Sequence, residues 1–145
     1  EILGGIYRHQ GRLQEGVWEI MAVIHKIIIH GRLDGLNDYT AANRTKSYKG
    51  AKMKHRNEKL IAAQVPYQMR DQEMKYPVTL TFHWYEKDRR RDPDNICFAK
   101  KFILDALVAK QVFPNDSQKY IKGFHDFFHV DKKHPRIEVM IEEGD

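Results

Sequence analysis

Val78, Leu80, Phe82 and Trp84 alternate with Thr79, Thr81, His83 and Tyr85. Apolar residues at period two predict a strand with one face turned to a core. A charged loop follows, Glu86 to Pro93, and then Ile96, Ala99, Ile103 and Leu107 recur at helical spacing. That pattern predicts a helix capped by Asp94 or Asn95 and running to about Lys110. A half-apolar strand that feeds a half-apolar helix must bury the two stripes against one another. The segment therefore restricts the chain to helices layered on a sheet.

The remaining elements extend this frame. Residues 22–29 are apolar on both faces, His25 and Lys26 excepted, and read as a largely buried strand. Gly31 to Gly35 is a turn, and Asn37 or Asp38 is placed to cap a helix. Residues 39–65 have a helical composition, with Gly50 as a break and Pro66 as the end. Residues 66–76 are polar and irregular. Phe113 to Ser117 is a turn, and 119–130 is a strand or hairpin arm. Pro135 opens a last strand in which Ile137, Val139 and Ile141 alternate with charges. The order strand, helix, strand, helix, strand, strand gives an α/β or α+β fold, a mixed sheet with two main helices packed on it. Residues 1–20 read either as an extension preceding a domain over 21–145, or as an N-terminal element in which Ile6, Leu13, Val17 and Ile20 form one helix face.

At 145 residues, 41% of them hydrophobic and 31% charged, the chain has the size and composition of one globular domain. No apolar run reaches the roughly 20 residues of a membrane-spanning helix, and no signal-peptide pattern is present. Cys97 is the lone cysteine, which excludes an intrachain disulfide and suits a reducing cytoplasm. The net charge of +5 favours an anionic partner, and its distribution sharpens this. Arg44, Lys46, Lys49, Lys52, Lys54, Arg56 and Lys59 fall in one stretch against a single acid, Glu58. Lys87, Arg89, Arg90 and Arg91 form a second cluster.

That second cluster runs into Asp92-Pro93-Asp94-Asn95 at the strand-to-helix junction. Two carboxylates one residue apart, at a loop leading into a helix, can converge on a hard divalent cation such as Mg²⁺. The arginines upstream suit the phosphate such a cation meets. The plainer reading is that Asp94 caps a helix and Asp92 shapes a turn. Asp116, in Pro114-Asn115-Asp116-Ser117, is a second candidate, although acids are common in turns. Lys101 follows Asp94 by two helical turns and is placed to neutralise charge on a phosphate. Its alternative is a solvated pair with Asp105.

These places together resemble the RusA family of Holliday junction resolvases, over roughly residues 24–142. The resemblance begins in Ile27-Ile-Ile-His-Gly-Arg-Leu-Asp-Gly-Leu-Asn-Asp-Tyr39 and Ala42-Asn43-Arg44. It is strongest in Arg91-Asp-Pro-Asp-Asn95, Lys100-Lys-Phe-Ile-Leu-Asp-Ala-Leu107 and Asn115-Asp-Ser-Gln118. It implies a homodimer that cuts four-way DNA junctions by paired symmetric nicks, in recombination and repair. It also implies Mg²⁺, with Mn²⁺ as a substitute, held by Asp92, Asp94 and Asp116. The catalytic lysine it implies is Lys101, with Lys100 as competitor. Arg44, Lys46, Lys49, Lys52, Lys54, Arg56, Arg89, Arg90 and Arg91 would grip DNA. Small proteins of this kind are often carried by bacteriophages or prophages, which places the expected setting in a bacterial cytoplasm. Two departures stand out. Asn115 occupies a position where the family often has a further acid. Three extra residues lie between Asn95 and Asp105, so Phe98 holds the place of the lysine in the compact motif.

Other features admit other functions. His125 and His129, with Asp126 and Asp131 nearby, suggest a zinc site, but a structural or surface role is the simpler reading. Phe82, Trp84 and Tyr85 are able to stack on bases, although alternation assigns Phe82 and Trp84 to the core. Cys97 reads as packing. A branched-DNA-binding module without efficient catalysis, or a nuclease for other branched or flapped DNA, are the alternatives to junction cutting.

Overall fold

The computed structural model describes the backbone of residues 2–13 and 16–144, and side chains from Ala22 onward. Two strands come first, β1 (Ile2–Leu13) and β2 (Gly16–His30), followed by helices α1 (Leu36–Thr45) and α2 (Ser47–Ala62). After a single 3₁₀ turn at Tyr67–Met69 come β3 (Val78–Glu86), α3 (Pro93–Cys97), α4 (Lys100–Ala109), β4 (Ile121–Val130) and β5 (Arg136–Glu142). The sheet order is β1-β2-β5-β3-β4. All neighbours are antiparallel except β3 and β4, which run parallel through the α3–α4 crossover. This is the mixed sheet under helices that the sequence predicts.

The helices cover one face of the sheet. Leu80, Phe82 and Trp84 of β3 are buried there, with Ile27 and Ile29 of β2 and Val139 of β5. Phe102, Ile103 and Leu107 of α4 and Ile61 of α2 press on them from above. β3 alternates buried and half-buried residues along its whole length. In β2 the odd positions from His25 to Ile29 are buried and Ile24, Lys26 and Ile28 only half-buried. None of residues 22–29 is exposed, so the strand is largely buried as expected, more fully on the face under the helices.

Each expected helix is divided. The first breaks at Lys46, whose backbone is extended (φ −156°, ψ 141°), and not at Gly50. Gly50 is buried inside α2, where a Cβ would collide with the Asn43 side chain, so its role is the close approach of α1 to α2. The N-cap of α1 is Gly35, not Asn37 or Asp38. Asp38 sits at the third helical position, and its carboxylate accepts the Gly35 N–H at 2.9 Å. In the second helix the cap is Asp92 rather than Asp94 or Asn95, with Pro93 at the first helical position, where its missing N–H costs nothing. Residues 98–99 then interrupt the axis. Ala99 and Lys101 donate to Ile96 and Phe98 three residues back, at 3.3 and 3.1 Å.

The helix-face reading of residues 1–20 is overturned. β1 pairs with β2 from Ile2↔Ile27 to Leu13↔Gly16. Glycines at 4, 5, 11 and 16 disfavour a helix, and β2 offers an unpaired ladder of backbone groups.

Candidate active site

The loop between β3 and α3 is held by one ion pair. Arg91 donates from Nε and Nη2 to the two carboxylate oxygens of Glu86, at 2.8 and 2.9 Å, and from Nη1 to the Leu33 carbonyl at 3.0 Å. Both side chains are about nine-tenths buried. The pair ties the end of β3 to the turn before α1. Asn95 makes the second tie, accepting the Asn37 N–H on Oδ1 at 2.9 Å. Gly35 is what lets these segments close. A Cβ there would meet Asn95 Oδ1 at 2.5 Å, the Asn95 carbonyl oxygen at 2.7 Å and Arg91 at 3.1 Å.

This scaffold presents Asp92 and Asp94 to solvent. Asp92 occupies the cap position, yet its carboxylate makes no capping hydrogen bond, so both oxygens remain available. Asp94 is exposed in the first turn of α3, and among the described residues its carboxylate accepts only the N–H of its neighbour Asn95, at 3.0 Å. Asp92 opens on a cleft of about 600 Å³ that it lines with Arg32, Asp34, Asp38, Arg90 and Arg91. The other acids of the cleft are engaged. Asp34 accepts from Arg56 at 2.8 Å and from Asn57 at 2.7 Å. Burial presses the Asp34 pKa upward, but the Asn57 and Arg56 hydrogen bonds outweigh it and hold the carboxyl below its ordinary value. Asp38 is spent on Gly35.

Asp116 is not brought to this place within one chain. Asp92 follows the C-terminal end of β3, whereas Asp116 precedes the start of β4, which lies beside the start of β3. β3 alone is nine residues long, roughly 26 Å from end to end at about 3.3 Å per step. Among the described residues no three Asp, Glu, His or Cys side chains are gathered to hold a metal ion. Within one chain the donor set thus fits a divalent cation in part, through Asp92 and Asp94.

The two lysines diverge. Lys101 is exposed and its ammonium lies 3.1 Å from Asp105, which Lys54 of α2 also reaches at 3.1 Å. The interruption at 98–99 replaces the two unbroken turns expected between Asp94 and Lys101. Lys100 points over the sheet instead, 2.7 Å from Asp126 and above the Phe124 ring at 4.5 Å. Asp126 also accepts the Trp84 indole N–H at 2.9 Å.

Of the basic residues, Arg44, Lys46, Lys49 and Lys52 are exposed and form no ion pair among the described residues. Lys54 is paired with Asp105 and Glu58, and Arg56 with Asp34. Arg89 and Arg90 are exposed beside Asp92, Arg90 weakly paired with Asp88 at 3.6 Å, while Arg91 is consumed by Glu86. Arg91, Glu86, Asn95 and Gly35 were not legible as a loop-holding set. The only trace was the strict Arg-Asp-Pro-Asp-Asn string.

Elsewhere Phe82 and Trp84 stack in the core at 5.5 Å between centroids. Tyr85 faces the open side of the sheet, 3.8 Å beneath the Arg136 guanidinium. His129 bonds His83, Nε2 to Nδ1, at 2.9 Å, and His125 is exposed one pair further along. Cys97 is half-buried against the core, and burial, then the Asp126 charge, raises its thiol pKa.

No curated protein matches the chain. Among the described residues no helix is long and apolar enough to cross a membrane. Residues 36–142 match the sequence family described as endodeoxyribonuclease RusA, which begins inside the expected range of 24–142 and takes in Asp92, Asp94, Lys101 and Asp116. The chain belongs to the RusA family, endonucleases that act on Holliday junctions.

Proposed function

We propose that this protein is a metal-dependent endodeoxyribonuclease that resolves four-way DNA junctions by paired symmetric nicks, as a homodimer, in recombination and repair. The observation that carries the reading is the pair Asp92 and Asp94. Both are exposed, and among the described residues neither is held by another side chain or by a cap, at the arginine-lined mouth of a RusA-family fold. Mg²⁺, or Mn²⁺ in its place, bound at these carboxylates would supply an activated water and offset charge on the scissile phosphate. The chain's own residues do the rest. Arg89 and Arg90 draw the phosphate to the carboxylates. Lys101 is tied only to an exposed Asp105 contact, which it exchanges for the charge that grows on the phosphate. Arg44, Lys46, Lys49 and Lys52 track the backbone of an arm. Two equivalent cuts call for two equivalent sites, which a two-fold dimer provides.

The test uses an end-labelled four-way junction and a matching linear duplex, with Mg²⁺ or EDTA, beside the Asp92→Asn protein. Symmetric nicks in the junction alone, abolished by EDTA and by the substitution while junction binding persists, are the expected result. A second reading, a branched-DNA-binding module without efficient cutting, is favoured by the distance of Asp116 from Asp92 within one chain. Tight junction binding with no cutting in either metal selects it.

A further inference from the structure

We infer that the chain carries a second nucleic-acid site, away from Asp92. The pocket between the 3₁₀ turn Tyr67–Met69 and the end of α4 takes a single unpaired nucleotide, its base stacked on Tyr67 and its phosphate held at the rim by Arg70 and Lys110. For the source of that nucleotide, branched DNA, the inference rests on the nuclease reading above, but its test requires no cutting.

The first observation is the ring. Tyr67 is 82% exposed, more than any other of the exposed large apolar side chains among the described residues. It does not stand on a flat surface. It lines a pocket of about 270 Å³ together with the apolar Val65, Pro66 and Ala109. At about 30 Å³ per water molecule, that space equals about nine waters. It admits one base and excludes a base pair. An aromatic ring in such a place stacks any base, because every base has a π face.

The second is charge. Arg70 and Lys110 line the same pocket, and both are exposed. Lys110 forms no ion pair among the described residues. Arg70 lies 3.6 Å from Asp71, between two well-exposed side chains, and such a contact is readily exchanged for a phosphate. α4 ends at this pocket, and a helix C-terminus carries partial negative charge. A phosphate is therefore disfavoured deep inside. The base fills the pocket and the phosphate stays at the rim.

The third is strain in the wall. Asp71 and Gln111 both have left-handed backbones, with φ of 54° and 59°. The Asp71 N–H donates to the Gln111 carbonyl at 2.8 Å, which closes the seam between the two segments. Gln111 directly follows the C-cap of α4, where glycine is usual because it takes this backbone without strain. Glycine would relieve the strain and remove an amide that lines the pocket. The glutamine keeps a donor and an acceptor there for the edge of a base.

The fourth is the approach. Lys49, Lys52, Arg56 and Lys59 recur three or four residues apart and so fall on one stripe of α2. α2 ends at Ala62, three residues before Val65 of the pocket. A DNA strand that follows the stripe arrives at Tyr67. A nucleotide already unpaired turns out of the strand at the least cost.

The test uses the full chain in EDTA and three forms of one DNA duplex: fully paired, with one unpaired 2-aminopurine, and with one unpaired abasic position. The 2-aminopurine form should bind about tenfold tighter than the other two, within what one base stacked on an aromatic ring supplies. Its emission should fall as protein is added. Tyr67→Ala, which removes an exposed ring and leaves the core intact, should abolish both the preference and the emission change, and Tyr67→Phe should keep them. Arg70→Ala with Lys110→Ala should weaken the 2-aminopurine form more than the paired one. Gln111→Gly should raise the melting temperature while lowering affinity for the unpaired base, which a purely structural glutamine would not do. Equal binding of all three duplexes overturns the proposal, as does a preference that survives Tyr67→Ala. Displacement of the 2-aminopurine form by equimolar dAMP assigns the pocket to free nucleotides, and resistance to it assigns the pocket to DNA. Tyr67-dependent binding of dAMP, read by calorimetry, in a protein that binds no junction would sink the nuclease reading and leave the pocket standing.

Discussion

Arg91 and Glu86 form a two-pronged ion pair, at 2.8 and 2.9 Å, directly beneath the loop that displays Asp92. Removing one partner leaves a buried charge unmatched. Arg91→Ala is expected to cost about 3 kcal/mol in urea unfolding. It should abolish cutting as well, because the Leu33 carbonyl and the 87–92 loop lose their common anchor. Replacing both residues by apolar ones of similar size, Arg91→Met with Glu86→Leu, should recover most of the stability but not the cutting. An Arg91→Ala protein as stable as wild type would show that the pair does not hold the loop.

Gly35 offers a sharper probe of the same junction. An alanine Cβ would press on the Asn95 carbonyl oxygen, which is backbone and cannot swing aside. Gly35→Ala should destabilise by about 2 kcal/mol, within the usual range for overpacking. Junction binding, which we assign to α1 and α2, should fall much less than cutting. Equal losses of binding and cutting would argue that Gly35 matters for the whole fold rather than for the placement of Asp92.

The basic helices should reveal themselves in salt dependence. Lys49 and Lys52 are exposed and without ion partners among the described residues, whereas Lys54 and Arg56 are paired. Alanine at Lys49 or Lys52 should each lower the slope of log affinity against log salt by about 1. Alanine at Lys54 should change the slope by less, since its charge is already answered by Asp105. Junction titrations across a salt series decide it.

The open face of the sheet should give the protein a mild acid sensitivity. Burial, then the neighbouring His129, holds the His83 imidazole below its ordinary pKa of 6.5. The folded chain therefore takes up this proton less readily than the unfolded one. The stability this contributes is present above about pH 6.5 and is lost as pH falls below that toward the lowered folded value. His83→Gln should flatten that part of a stability-against-pH curve measured by thermal melts. A curve with unchanged slope would place the sensitivity elsewhere.

Much of the fold was legible because period-two and helical patterns report burial directly. Val78 to Trp84, Ile137 to Ile141 and the Ile103–Leu107 stripe lie where their spacing puts them. What escaped was governed by neighbours remote in sequence. The cap at Gly35 depends on Asn95, sixty residues away along the chain. The pairing of β1 with β2 depends on backbone groups that carry no side-chain signature. The candidate site divides in the same way. Asp92 and Asp94 were readable because adjacency in sequence is adjacency in space at a helix start. The identity of the paired arginine was not, since Arg89, Arg90 and Arg91 look alike until Glu86 selects one. The remoteness of Asp116 follows from β3 and β4 being parallel, and a residue string does not state the direction of a strand.

The last of the described strands, β5, is the central one of the sheet, with Ile24 opposite Glu142 on one side and Thr79 opposite Glu142 on the other. During synthesis the facing edges of β2 and β3 must therefore stay unmatched until residues 136–142 leave the ribosome. Contacts so distant along the chain form slowly. The interval exposes two strand edges at once to any other nascent copy nearby, so the hazard of aggregation is greatest before β5 is made.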